Sequence, residues 1–288
     1  MAEKKKPAPK AEKPLKREKV DAPPSNSKLR AGTGTKRNKT RFITIYGLPK
    51  TRKTTSCANL PLGRTKWLAA DSNCIATLDA LGRVPHPDDI YEVNSLMDAI
   101  QLTNEMLDLA EREGGEALGI DWFVVDSATQ FSDWHQQDIA KETTQAFLGE
   151  RAGEGWQKFN AEFGKFLDNL AALTRYCNVV VIGHMKESAG KKKGTYATLS
   201  LPPQMAEKLA RLTNWLLFKT FEEKLEIDEG FEGDEYISVE EVRGEKRYYE
   251  SVLHTRSLGN ILASVNSFAL SAEEPGDLVK LLEKDGLL

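Results

Sequence analysis

The sequence predicts an α/β fold, a mostly parallel sheet flanked by helices, with an antiparallel extension in the C-terminal third. Three observations carry this reading. Short apolar runs recur along the chain, each closed by a polar residue or a glycine; longer helical patterns lie between them; and beyond residue 214 the pattern changes to successive strands.

The runs can be taken in order. Residues 42–46 (FITIY) are β-rich and stop at Gly47, and residues 67–70, 122–125 and 179–182 repeat the pattern. Each is apolar throughout rather than alternating, as expected of a strand buried on both faces. Residues 95–112 and 159–176 read as helices; in the second, Phe163, Phe166, Leu167, Leu170 and Leu173 recur at helical spacing. In the last third, residues 215–223, 236–242 and 247–254 read as strands separated by acidic, glycine-bearing turns. Ser271 is expected to cap a short closing helix in which Leu278, Leu281 and Leu282 share one side. No internal repeat is visible.

Composition sets the outer bounds. A chain of 288 residues that is 40% hydrophobic can bury one large core. Its net charge of −3 hides an asymmetry: residues 1–40 carry 13 Lys/Arg against 4 Asp/Glu, a net of +9, which leaves −12 on residues 41–288. The basic tail has almost no large apolar side chains with which to offset the entropy of ordering, so it is expected to be disordered, with a single domain over 41–288. It serves either as an arm that contacts polyanions or as a solubilising tail. Cys57, Cys74 and Cys177 are too few and too scattered for a disulfide framework or a zinc knuckle, which points to a reducing compartment and no zinc. No apolar run approaches the ~18 residues of a bilayer span, so a soluble protein without a membrane partner is expected.

The chemistry concentrates after the first strand. Gly47, Leu48, Pro49, Lys50, Thr51, Arg52, Lys53, Thr54 and Thr55 form a loop between that strand and a short helix ending by Pro61. A tight strand-to-helix turn aims successive backbone N–H groups and the positive helix end at one point, where a polyphosphate such as ATP can sit. Lys53 would reach the terminal phosphates and the Thr54 hydroxyl would complete the coordination of Mg2+. Arg52 occupies a position where the general pattern has glycine; its side chain either points outward or adds a phosphate contact. The bland alternative is a basic turn that merely caps a helix.

Two later strand ends complete the site. Residues 121–127 (DWFVVDS) deliver Asp126 to the C-terminal edge of the sheet, where it would hold Mg2+ through water. Residues 178–184 deliver His184 to the same edge, in place to sense a γ-phosphate. His86, His135 and His254 show no ligand spacing.

With these residues in view, the sequence resembles RecA-like P-loop ATPases, and specifically the compact phage-encoded ATPases associated with single-strand annealing and recombination. GLPKTRKTT, ADSN, WFVVDSAT, VVVIGHMKE and HTRS carry the likeness, over residues 41–265. The resemblance implies a RecA-like P-loop NTPase fold using ATP and Mg2+. In that family an acidic residue at the position of Asn73 activates the attacking water. An amide cannot take a proton, so Asp71 or another carboxylate substitutes, or hydrolysis is slow. The family's DNA-lining loops would correspond to the basic loop over residues 185–196, with Lys191, Lys192 and Lys193 neutralising phosphates and Tyr196 stacking on a base, and more weakly to residues 147–156. A solvated surface loop is the alternative.

Arg256 would act in trans as a finger on a neighbour's ATP, or is a surface arginine. The expected catalytic set is therefore Lys53, Asp126, Asp71 and His184. Implied partners are single-stranded DNA and a second copy of the chain in a ring or filament, in the bacterial host cytoplasm if phage-encoded. A P-loop kinase acting on a small molecule and a non-catalytic nucleotide-gated interaction module are the alternatives.

Overall fold

The computed structural model describes residues 40–70, 72–83, 85–143, 153–190, 194–227, 245–258, 261–265, 270–271 and 273–285, all within one compact unit, Asn38–Leu288. The expected disordered tail and the expected strand at 236–242 lie outside them. The elements are β1 (Phe42–Gly47), α1 (Lys53–Ser56), β2 (Thr65–Ala69), α2 (Ser72–Ala80), β3 (Ile90–Glu92), α3 (Leu96–Glu113), β4 (Trp122–Asp126), α4 (Ala128–Glu142), α5 (Glu154–Leu173), β5 (Asn178–Gly190), β6 (Gly194–Leu199), α6 (Pro203–Leu212), β7 (Trp215–Ile227), β8 (Glu245–His254), β9 (Arg256–Leu258), β10 (Ile261–Val265), β11 (Glu273–Pro275) and α7 (Leu278–Lys284).

The centre of the sheet is parallel, in the order β7, β1, β5, β4, β2, β3. Helices cover both faces, which is why these strands read as unbroken apolar runs. Alternate residues face opposite cores. Phe42, Tyr46, Phe123, Val125, Val179 and Val181 pack with residues of α3, α4, α5 and α6. Ile43, Ile45, Val124, Val180 and Ile182 pack on the other face with Cys57, Ala58 and Leu60 after α1, Cys74 and Leu78 of α2, and Leu278, Leu281 and Leu282 of α7.

The antiparallel extension is present: β8 pairs β7, β11 pairs β8, β10 pairs β7 and β9 pairs β10, all antiparallel. Two expectations need correction. The stretch from Met185 onward, expected as a loop, continues as the strand β5 and returns as β6, Lys186 opposite Thr198 and Ser188 opposite Tyr196. Glycine at both ends of a lysine run suggested a loop, but Gly190 and Gly194 pair with each other as the last rung of a hairpin. Its tip, with Lys191, Lys192 and Lys193, lies outside the described residues.

The second correction concerns the closing helix. Leu278, Leu281 and Leu282 are fully buried as expected, but the cap is Asp277, whose carboxylate accepts from the Val279 N–H at 2.9 Å. Ser271 lies ahead of β11, where its N–H donates to Glu274. Residues 273–275 pair with β8 and so postpone the helix. Among the described residues no helix is long and apolar enough to cross a membrane.

Candidate nucleotide site

Strand β1 lies between β5 and β7, so Gly47 stands in register with His184 on one side and Lys219 on the other. That crowding requires glycine: a Cβ here would lie 2.3 Å from the Lys219 carbonyl oxygen and 3.2 Å from Thr51 Oγ1. The loop then curls on itself, Thr51 Oγ1 donating to the Leu48 carbonyl at 2.9 Å. Leu48 is exposed at the crest, with Pro49 and Lys50 beside it.

Lys50 (φ 66°) and Arg52 (φ 58°) both adopt the left-handed backbone. Arg52 thus takes the conformation that makes glycine the usual choice at this position. Its guanidinium lies 5.7 Å from the ring centroid of Phe221 on β7. Arg52 thus approaches Phe221 and also borders the cavity.

Lys53 opens α1 and is buried. Its Nζ donates to the Leu48 carbonyl at 2.7 Å and to the Gly47 carbonyl at 3.2 Å, folding the ammonium across the loop. Burial lowers its pKa to about 8, against the pull of the Asp126 carboxylate in the other direction. The next residue, Thr54, donates its hydroxyl to Asp126 Oδ2 at 2.5 Å. Groups 72 positions apart in the chain are thereby joined, because β4 ends beside α1 with only β5 between it and β1. A hydroxyl and a carboxylate converging in this way are hard oxygen donors of the kind Mg2+ takes, and Thr54 and Asp126 are the residues that would hold it.

Helix α4 fixes the far wall. Ser127 is its N-cap, accepting from the Gln130 N–H at 3.3 Å, and Thr129 Oγ1 accepts from the His184 N–H at 2.9 Å. The end of β5 is thus tied to the first turn of α4. These groups enclose a cavity of about 520 Å³, bordered by Lys50, Arg52, Lys53, Thr54, Asp126 and His184 among others. Its size suits a small-molecule ligand. Among its described lining residues the charged side chains are three basic and one acidic, which favours an anion.

Of the residues singled out from the sequence, Lys50, Arg52, Lys53, Thr54, Thr55, Asp126 and His184 meet at this cavity, and Asn73 borders it from α2. Asp71 lies outside the described residues. Tyr196 stands on β6, and Arg256 is exposed on β9, away from the residues bordering the cavity.

Sequence reasoning missed two groups. Gln130 borders the cavity from the first turn of α4, and the sequence alone carried no signal for it. Lys219 is 1% exposed beneath the loop and donates from Nζ to the Gly276 carbonyl at 2.5 Å. Burial lowers its pKa to about 8; Cys57 and Asp277 oppose the shift, and the charges of Arg52 and Lys53 reinforce it. Nearby, Asn59 Nδ2 donates to Asp277 Oδ2 at 2.7 Å, tying the cap of α7 to the turn after α1.

A lysine- and threonine-bearing loop between strand and helix, facing an aspartate that ends the next strand but one of a parallel sheet, defines a P-loop ATPase fold. The chain belongs to the AAA domain family, whose model matches residues 39–235. No curated protein sequence matches it. Among solved structures it is similar to a prototypical ATPase from the type III secretion system of pathogenic bacteria, at 10% identity and a TM-score of 0.39, over 62% of this chain. The similarity spans about half of that protein, 51% of its chain.

Proposed function

We propose that the protein binds and hydrolyses ATP and uses it to engage single-stranded DNA, as a recombination or annealing factor of the phage type acting in a bacterial cytoplasm. The observation that carries the nucleotide part is the Thr54–Asp126 contact beneath a cationic loop. Loop N–H groups and the Lys53 ammonium would receive the phosphates, exchanging the Leu48 and Gly47 carbonyls for phosphate oxygens. Mg2+ at Thr54 and Asp126 would, when bound, offset the charge of the terminal phosphates. His184, tied to Thr129 at the mouth of the cavity, is in place to contact the γ-phosphate.

The DNA part rests on the continuity of β5. This single strand passes from the cavity at His184 to Gly190, pairs with the return strand that bears Tyr196, and in sequence precedes Lys191, Lys192 and Lys193. A shift of the strand at one end would be felt at the other. In a ring or filament, the exposed Arg256 of β9 would face the ATP of the next copy.

ATP should therefore tighten binding to single-stranded DNA, and Lys53→Ala should abolish the gain. DNA affinity indifferent to both overturns the coupling. One observation favours a second reading, a nucleotide-gated interaction module without turnover: Asn73 borders the cavity, and Asp126 is its one carboxylate among the described residues. Phosphate release measured with and without single-stranded DNA separates the two.

A further inference from the structure

We infer that Gln130 orients the attacking water, an assignment that rests on the nucleotide reading above. Among the described residues the cavity offers one carboxylate, Asp126, and the imidazole of His184, whose backbone N–H is held by Thr129. Asp126 already accepts the Thr54 hydroxyl, Asn73 cannot take a proton, and no other carboxylate borders the cavity among the described residues. Gln130 stands in the first turn of α4, between the strand end that carries Asp126 and the body of the helix. Its backbone N–H is taken by the Ser127 hydroxyl, which fixes the residue, and its neighbour Thr129 holds His184 at the same wall.

The Gln130 side chain is half-buried and borders the cavity, and it makes no hydrogen bond to another described residue. A carboxamide offers an acceptor and two donors together. It can accept a hydrogen bond from a water and donate one to a phosphate oxygen, which lines the water up with the γ-phosphorus without removing a proton.

The step then balances without a protein base. The water oxygen forms a bond to the γ-phosphorus, the bond from phosphorus to the β–γ bridging oxygen breaks, and ADP leaves with that electron pair. The water's proton passes to the released phosphate. Catalysis of this kind comes from placement, and misplacing the water would cost about 10- to 100-fold in rate.

The test uses the full chain as wild type, Gln130→Ala and Gln130→Glu, with ATP affinity from calorimetry, single-turnover phosphate release from pH 5.5 to 8.5, and melting temperature as the check on folding. Gln130→Ala should release phosphate about 10- to 100-fold more slowly with ATP affinity within about twofold of wild type. Gln130→Glu should regain turnover along an acidic limb, absent from wild type, as the new carboxylate deprotonates. Turnover of the alanine variant within twofold of wild type overturns the assignment, as does parallel loss of affinity and rate, or a glutamate variant without the new limb. Wild type that binds ATP and releases no phosphate overturns the role of Gln130 and leaves nucleotide binding standing; wild type that binds no ATP removes both.

Discussion

Arg52 and Gly47 occupy one loop and should differ in their tolerance of substitution. The left-handed backbone costs an L-residue about 1–2 kcal/mol, so Arg52→Gly removes strain. It also loses the Phe221 contact, about 0.5–1 kcal/mol, and gives the unfolded chain a glycine's freedom, about 0.5–1 kcal/mol. These nearly cancel, and denaturant titration should find the variant within about 1 kcal/mol of wild type. Gly47→Ala has no such offset, because the new Cβ would meet a backbone oxygen at 2.3 Å; a loss of about 1–3 kcal/mol is expected from the same titration, together with weaker ATP binding.

The two buried lysines make pH a second probe. Each has its pKa lowered to about 8 in the fold, whereas an unfolded lysine keeps its proton to about 10.4. Between those values the unfolded chain binds more protons, so this contribution to stability rises with pH. Melting temperatures from pH 7.5 to 10 should show a steeper rise for wild type than for Lys219→Met. If Lys53 meets the phosphates as proposed, ATP affinity should move the other way, falling above about pH 8 as its ammonium loses its charge. Neither Lys219 nor Gln130 was legible in the sequence. A lysine in the run WLLFKTFEE reads as a residue turned to water, and only the distant Gly276 carbonyl explains why it is not. A glutamine in a helix reads as surface until the preceding strand, β4, is seen to end beside Thr54.

Elements were legible where burial alone determines the pattern. Strands β1, β4 and the first half of β5 could be recognised because both faces are covered, and the polar residues at their ends border one cavity. Elements held by pairing rather than burial could not. The β5–β6 hairpin hides behind glycines and lysines, and β11 behind two glutamates and a proline. The cap of α7 was misplaced for the same reason. Asp277→Ala removes both that cap and the bond from Asn59, at an expected cost of about 0.5–2 kcal/mol. Hydrogen exchange should quicken over residues 278–284 while the amides of β4 are unchanged; uniform exchange across the chain would count against a local role.

At the scale of the whole molecule, ligand binding should read out as stability. ATP with magnesium at about 100 times its Kd adds about 2.7 kcal/mol, and for a domain of this size each kcal/mol raises the melting temperature by about 2–4 °C. A shift of roughly 5–10 °C is expected for wild type, and none for Lys53→Ala, in a thermal-shift titration.

The order in which the chain is made gives the placement of β7 and α7 a further meaning. Gly47 leaves the ribosome before its neighbour Lys219, which follows more than 170 residues later, and the leucines of α7 that pack with the turn after α1 come later still. A nascent chain halted between residues 220 and 277 has every described residue that borders the cavity but lacks the leucines packed with the turn after α1. A stop codon there should weaken the proposed nucleotide binding by removing that support, which a thermal-shift titration of the truncated chain with ATP would read.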